Sequence, residues 1–138
     1  MANALRFPFV AVEQSLGNSS LQPLLPLTLS IGPNSLEVSA LLDTGSSVNV
    51  LPHQAGLSLG AKWEKQDVEI QLTGNLACIE ARALLLEATV SDIPPVRMAF
   101  AWTKTDEVPV LLGQVNFFLE FEVCFFRSQR FFEVRRNT

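Results

Sequence analysis

Residues 40–52 of the chain read ALLDTGSSVNVLP. Asp43 and the polar turn after it stand between two apolar runs, where an ordinary surface turn has no reason to lie. Burial of a carboxylate is unfavourable unless the group is hydrogen-bonded or protonated. We therefore expect Asp43 to carry chemistry and the flanking residues to form strands that hold it in place.

The chain has the size and composition of one globular domain. It contains 138 residues with 48% hydrophobic content, enough to bury roughly two-thirds of the surface of the unfolded chain. The net charge of −4 argues against a nucleic-acid partner, because phosphate binding requires an excess of Lys and Arg. The first residues do not predict a signal peptide, and no apolar run is long enough to span a bilayer. We expect neither a nucleic-acid nor a membrane partner.

Cysteine and histidine usage does not predict a metal centre or a disulfide framework. Cys78 and Cys124 are far apart and form no C-x-x-C pair, and His53 is the single His of the chain. These residues lack the spacing of metal ligands. We expect no metal, no cofactor and a reducing, cytoplasmic setting. His53 is expected to be structural, and Cys78 to be a small buried residue.

Short apolar segments bounded by turn residues recur along the chain and predict an all-β fold. Residues 67–82 predict a long hairpin with Thr73, Gly74 and Asn75 at its tip. Residues 1–22 are expected to be an N-terminal arm, either loose or forming an edge strand that docks on a partner, and residues 23–138 the domain proper. The other predicted strands are 24–31, 36–42, 48–51, 83–90, 96–102, 121–126 and 131–134, with short helical segments at 53–57 and 114–119.

Over about residues 24–134 the chain resembles the retroviral-type, single-domain aspartic peptidases and their bacterial relatives. The resemblance rests on Asp43-Thr44-Gly45-Ser46, on the hairpin tip at 73–75, and on Leu111-Leu112-Gly113 before a short helix. It implies an all-β, retropepsin-like closed β-barrel with a flap hairpin and one short C-terminal helix. Of the Asp residues only Asp43 is followed by Thr-Gly, so a complete site requires a homodimer with two copies of Asp43 beside a twofold axis.

The implied activity is that of an aspartic endopeptidase, which hydrolyses peptide bonds of a polypeptide substrate. One carboxyl of the Asp43 pair takes a proton from water, and the other hydrogen-bonds the scissile carbonyl. Two carboxyl groups so near each other cannot both ionise easily, so the pair holds one proton.

The resemblance also implies roles for the neighbouring residues. Thr44 would hydrogen-bond across the axis, Gly45 would let the backbone approach the dyad and the substrate, and Ser46 would hydrogen-bond the outer oxygens of the dyad. The flap tip would close over an extended peptide. Apolar subsites would be walled by Val48, Val110 and Leu111.

The last predicted strand is expected to join a dimer sheet. The segment from Phe131 to Val134 has aromatic side chains that would be hard to leave exposed on a monomer. Truncation before Phe131 is therefore expected to lower association and activity together.

Two positions differ from the retroviral pattern. The family usually has an acid at the second position after the catalytic Gly and an Arg after the later Gly, and the two form an ion pair. Here the positions are Ser47 and Gln114, both neutral, so a polar contact could replace the ion pair. The difference leaves an alternative function open, namely a catalytically silent dimeric peptide-binding module of the same fold.

Overall fold

The structure is a computed structural model that describes residues 1–13 and 17–137. Residues 14–16, which belong to the predicted N-terminal arm, and residue 138 lie outside the described residues. The strands are β1 (Leu5–Pro8), β2 (Val10–Glu13), β3 (Ser19–Gln22), β4 (Leu24–Ile31), β5 (Asn34–Leu42), β6 (Val50–Leu51), β7 (Ala81–Thr89), β8 (Val96–Thr103), β9 (Leu111–Leu112), β10 (Phe121–Phe126) and β11 (Phe131–Arg136). The helices are α1 (His53–Ser58) and α2 (Phe117–Glu120), and 3-10 turns occupy Trp63–Lys65, Gly74–Leu76 and Arg127–Gln129.

Six strands close into a barrel in the order β4-β5-β9-β6-β8-β7. Alternation along β4 turns Leu25, Leu27 and Leu29 into the core, where their exposed fractions are 0%, 4% and 0%. The short strand β9 lies between β5, with which it is parallel, and β6, with which it is antiparallel. The prediction of an all-β closed barrel is confirmed, and the chain segments around Asp43 and Gly113 meet where these central strands end.

A second sheet contains both ends of the chain in the order β1-β11-β10. Phe132 of β11 is fully buried, and its ring centroid lies 5.6 Å from that of Phe7 and 5.8 Å from that of Phe9. β11 pairs with β1 along one edge and with β10 along the other, so both of its edges are paired within one chain. The prediction that the aromatic side chains of this strand need a partner to cover them is wrong, because β1 and the core already do so.

Residues 67–80 differ from the regular hairpin that alternation predicts. One bridge, between Glu69 and Arg82, joins the segment to β7, and β7 begins only at Ala81. The Gln71 side-chain amide donates to the carbonyls of Leu72 and Ala77 at 3.1 and 2.9 Å. Together with the backbone bonds from Leu76 to Thr73 and from Ala77 to Gly74, these side-chain bonds accompany a 3-10 turn at Gly74–Leu76 instead of a ladder.

The predicted C-terminal helix is present but begins later than expected. α2 starts at Phe117 rather than at residue 114. Asn116 has a φ of 78°, and the amides of Gln114 and Val115 bond to the Asp43 loop at 2.9 and 2.8 Å. A left-handed φ cannot be part of an α-helix, so the helix begins only after Asn116.

His53 begins α1 just after β6, whereas Cys78 lies in segment 67–80 and Cys124 in β10. His53 stacks on Trp102 with ring centroids 5.3 Å apart, which confirms a structural role. Cys78 is a free, exposed thiol, so the expectation of a buried residue is wrong. Among residues 1–13 and 17–137, no helix is long and apolar enough to cross a membrane. Over the same residues, no cluster of three or more His, Cys, Asp or Glu side chains could hold a metal ion.

Candidate active site

Asp43 follows β5 directly and is held by the backbones of the central strands. Its amide donates to the Leu112 carbonyl at 3.0 Å, and the Leu41 amide donates to the Val110 carbonyl at 2.8 Å. The start of the loop is thus clamped to β9 by main-chain hydrogen bonds, which do not depend on side-chain identity. The backbone of Asp43 is fixed by the strand ends of the barrel rather than by a flexible loop.

The loop then turns tightly around the carboxylate. The Gly45 amide donates to Asp43 Oδ1 at 3.0 Å, and the Ser46 amide donates to the Asp43 carbonyl at 3.0 Å. A side chain that accepts a bond from the amide two residues on is an Asx-turn, which orients the carboxylate. A Cβ at Gly45 would lie 3.3 Å from Oδ1, so the close approach favours glycine there.

Asp43 is half-buried in a single chain, whereas the sequence predicted a buried carboxylate. Its neighbours Thr44, Gly45 and Ser47 are exposed. The loop therefore presents an open face of small polar residues around one carboxyl group.

The support beneath the loop depends on Asn49, whose role the sequence analysis missed. Asn49 is fully buried; its Oδ1 accepts from the Gly113 amide at 2.8 Å, and its Nδ2 donates to the Ala99 carbonyl at 3.2 Å. Buried polar side chains are costly unless they are hydrogen-bonded. The signal in the sequence was a lone amide inside the apolar run from Val48 to Leu51.

Gly113 is the second part of this support. A Cβ at Gly113 would lie 2.4 Å from the Val48 carbonyl oxygen and 2.8 Å from that of Ser46. Only glycine allows the two chain segments to come this close. This steric requirement explains why Gly follows Leu111 and Leu112 in the second sequence motif.

The predicted contact between Ser47 and Gln114 takes another form. Gln114 Nε2 donates to the Thr44 carbonyl at 2.7 Å, while the backbone of Ser47 accepts from the Val115 amide at 2.8 Å. The Gln114 side chain therefore braces the loop through its main chain. This is a neutral bond in the place where the retroviral pattern has an ion pair.

The Ser46 hydroxyl points to the main chain in a single chain. Its Oγ donates to the Val48 carbonyl at 2.7 Å. Since a hydroxyl has one proton to donate, the expected bond from Ser46 to the outer oxygens of the dyad requires that this bond be given up.

Asp43 lies in a cavity of about 370 Å³ together with the tip of segment 67–80. Thr73, Gly74 and Asn75, the predicted flap tip, all line this cavity. Val48 and Leu111 are wall residues, as predicted, and Val110 is buried in the main core instead. The full lining is Asp43, Gly45, Ser46, Ser47, Val48, Val50, Leu72, Thr73, Gly74, Asn75, Leu76 and Leu111.

Asp43 is the one ionisable side chain among the residues that line this cavity. A lone carboxylate can accept a proton from water, but it cannot also donate one to a carbonyl oxygen. The apolar walls from Val50, Leu72 and Leu111 suit hydrophobic side chains of a bound molecule. The cavity therefore offers one carboxyl group, where acid–base chemistry that both accepts and donates a proton needs a second group.

Comparison with known proteins identifies the fold. No family model matches the chain, and no curated protein matches it in sequence. A retropepsin-like aspartic protease from Rickettsia conorii has a similar structure, with a TM-score of 0.60 at 11% identity, covering 96% of this chain and 92% of that chain. The fold is retropepsin-like. The EIAV protease complexed with the inhibitor HBY-793 also matches, with a TM-score of 0.48 and 18% identity over 74% of this chain and 88% of that chain.

The likeness to the Rickettsia protein lies in the arrangement of the strands, because the two sequences share few residues. At 11% identity to the Rickettsia protein, the shared architecture establishes how the chain folds. What the chain does has to be argued from Asp43 and its surroundings.

Proposed function

We propose that the chain is an aspartic endopeptidase that acts as a homodimer. The observation that carries the proposal is Asp43, oriented by Gly45 at the wall of a cavity that segment 73–76 also lines, within a retropepsin-like barrel. The Rickettsia conorii protein of similar structure is a retropepsin-like aspartic protease, which supports the reaction class by analogy.

In the proposed mechanism, Asp43 of one protomer and Asp43 of the partner subunit hold a water molecule between them. The ionised carboxyl removes a proton from the water, which attacks the scissile carbonyl carbon, while the protonated carboxyl hydrogen-bonds the carbonyl oxygen. Transfer of a proton to the departing nitrogen completes the cleavage. No covalent enzyme intermediate is needed, because water is the nucleophile.

The other residues bind and enclose the substrate in this proposal. Thr73, Gly74 and Asn75 act as the flap tip, which closes over an extended peptide and excludes water. The apolar walls favour hydrophobic side chains beside the cut bond. Thr44 braces the two loops across the axis, and its carbonyl already accepts a bond from Gln114 within each chain.

The test is mass-spectrometric mapping of cuts in a denatured-protein peptide mixture, from mildly acidic to neutral pH. Asp43→Asn is the control, since its side-chain oxygen can still accept the Gly45 amide bond. We expect cuts beside apolar residues that disappear with Asp43→Asn and that fade on the alkaline side as the shared proton is lost. Equal cutting by both proteins would refute the proposal. A folded dimer that binds peptides without cutting would favour the silent binding module.

A further inference from the structure

Positive charge is concentrated at one end of the terminal sheet. Residues 5–11 and 124–132 contain three Arg and no Asp or Glu, whereas the rest of the chain has seven Lys and Arg against 14 Asp and Glu. The two stretches meet in the sheet, where Phe131 pairs with Pro8 on one edge and with Phe126 on the other. This end of the sheet, residues 6–10 and 125–131, is therefore a basic tip on an otherwise acidic molecule.

Two of the three arginines extend from one tight turn. Arg127 begins a 3-10 turn and Arg130 follows it, with the Arg130 amide donating to the Arg127 carbonyl at 3.1 Å. The Arg130 carbonyl accepts from the Phe9 amide at 3.0 Å, which ties the turn to the segment between β1 and β2. Both arginines are exposed, and neither forms an ion pair within residues 1–13 and 17–137.

The third arginine, Arg6, keeps part of its charge. Glu133 accepts a bond from Arg6 Nη2 at 3.0 Å and another from the Met1 ammonium at 2.8 Å. One carboxylate therefore faces two cations, and this cluster has a net positive charge.

Apolar surface lies on both sides of the basic tip. Val10 is 41% exposed and Phe125 is 39% exposed, and Phe126 is half-buried. Successive residues of a strand point to opposite faces of a sheet, so Phe125 and Phe126 lie on opposite sides. A ligand in a groove covers one side of a sheet, whereas an apolar phase that surrounds the tip covers both.

The aromatic rings of the basic tip suit contact with lipid better than contact with bases. The Arg6 guanidinium lies over the Phe131 ring, 4.0 Å from its centroid, and Phe126 stacks on Phe131 with centroids 4.8 Å apart. Arg127 lies over the Phe9 ring at 5.5 Å. Binding of single-stranded nucleic acid requires ring faces that are free to stack on bases. Since these faces are occupied, the rings offer apolar edges beside guanidinium groups, a combination typical of protein segments at a membrane interface.

We propose that the basic tip docks on a membrane surface that contains anionic phospholipids. Arg127 and Arg130 contact the phosphate groups, which suit the planar guanidinium fork, and Val10 and Phe125 reach the boundary with the acyl chains. The rest of the molecule is acidic and is repelled by the same surface, so only the tip makes contact. This inference goes beyond the proposed function and does not depend on it, and the contact needs no membrane-spanning segment.

The test is co-sedimentation of the full chain with vesicles of phosphatidylcholine, alone or mixed with phosphatidylglycerol. Each Arg at an anionic surface strengthens binding about fivefold. Joint replacement by Arg127→Glu and Arg130→Glu should therefore lower the partition coefficient for the mixed vesicles at least about 25-fold. Circular dichroism checks folding, and Arg127→Gln with Arg130→Gln replaces this variant if charge reversal impairs folding.

The matched control is Lys62→Glu with Lys65→Glu. These exposed cations lie at the two ends of another 3-10 turn with the same spacing in the sequence, and their reversal gives the same net charge. We expect this variant to bind the mixed vesicles about as well as wild type. Phe125→Ser tests the apolar contact and should weaken binding about tenfold, because the aromatic side chain no longer enters the boundary.

Binding to the mixed vesicles that is lost in the Arg127 and Arg130 variant but kept in the control supports the inference. No binding by wild type, or the same loss in the control, would overturn it. The same proteins are tested with a single-stranded oligonucleotide and by sedimentation equilibrium. If the tip variant loses oligonucleotide binding or self-association while wild type ignores the vesicles, the tip serves a nucleic acid or a second copy and the membrane inference is wrong. Asp43→Asn should bind vesicles like wild type, so the result stands whatever the cleavage assay gives.

Discussion

At the scale of single residues, the geometry of Asp43 depends on atoms that are not part of the reaction. Gly113 has no strand neighbour for its amide at this point of the barrel, and Asn49 supplies the acceptor from a fully buried position. The same side chain is tied to β8 through Ala99. The Asn49 side chain therefore links its own segment to Gly113 and to β8, directly below the Asp43 loop.

Replacing Asn49 by Leu keeps the branched shape and the number of side-chain heavy atoms, and removes both hydrogen bonds. The Gly113 amide and the Ala99 carbonyl then lose their partner in the interior, which costs about 1–3 kcal/mol for each group. We expect the free energy of unfolding to fall by roughly 2–6 kcal/mol in urea denaturation. Asn75→Leu, at an exposed position, is the control and should change stability little. Equal effects of the two substitutions would contradict the role given to Asn49.

Alanine at Gly113 tests the steric requirement. The new Cβ would overlap the Val48 carbonyl at 2.4 Å, so the loop or β9 must shift, at a cost of about 1–3 kcal/mol or more. The matched variant is Gly74→Ala, where nothing lies within 4 Å of the new Cβ and only the φ of +63° opposes it. Thermal unfolding should rank Gly113→Ala as the more harmful. The reverse order would show that backbone conformation, not close approach, sets the demand for glycine.

Individual site residues show where sequence reasoning succeeds and fails. The turns at Asp43–Gly45 and at residues 73–75 follow from local chemistry, and both turns line one cavity. Val110 faces the core because of neighbours that are distant in sequence. The Ser46 hydroxyl instead finds a local acceptor, the Val48 carbonyl two residues on, which the sequence analysis did not anticipate. The placement of Asn49 depends on Gly113, far along the chain, and was not predicted.

At the scale of elements, local patterns predicted strands well and pairings poorly. The bounds of β4 and β10 agree with the apolar runs that predicted them, because alternation is a local property. The pairing of β1 with β11 joins opposite ends of the chain, and no local pattern encodes it. In residues 67–80, backbone bonds such as Leu76 N to Thr73 O form a 3-10 turn, and the Gln71 side chain bonds the carbonyls of Leu72 and Ala77.

The β1–β11 pairing includes a charge cluster with a pH signature. Glu133 accepts hydrogen bonds from the Met1 ammonium at 2.8 Å and from Arg6 Nη2 at 3.0 Å. Both bonds hold the pKa of Glu133 below its ordinary value of 4.5, and the bond from the Met1 ammonium has the larger effect. A lowered pKa in the folded state means that the carboxylate stabilises the fold above the unfolded pKa.

Comparing wild type with Glu133→Gln at several pH values tests this cluster. We expect the difference in the free energy of unfolding to be complete above a pH of about 4.5 and to shrink as the pH falls through the folded-state pKa of Glu133. Glu122→Gln is the control, because its pair with Arg135 is exposed and such pairs contribute little. A difference that stays constant with pH would contradict the assignment.

At the scale of the whole molecule, the described chain presents one carboxyl group where the proposed reaction needs two. The barrel orients one carboxyl, the lining of its cavity offers no second one, and both edges of β11 are already paired within the chain. The sequence predicted the need for two copies because Asp-Thr-Gly occurs once. The exposure of Val115 and Leu119 was not predicted, since either side chain could have been a core residue as readily as an exposed one.

The most direct test of a site shared by two chains is a mixing experiment. Wild type is mixed with Asp43→Asn at constant total protein, the dimers are allowed to exchange, and the rate of peptide cleavage is measured against the wild-type fraction. If each active site needs Asp43 from both chains, the rate follows the square of that fraction, so an equal mixture keeps about one quarter of the wild-type rate. A rate that falls only in proportion to the wild-type fraction would mean that one chain suffices and would contradict the account.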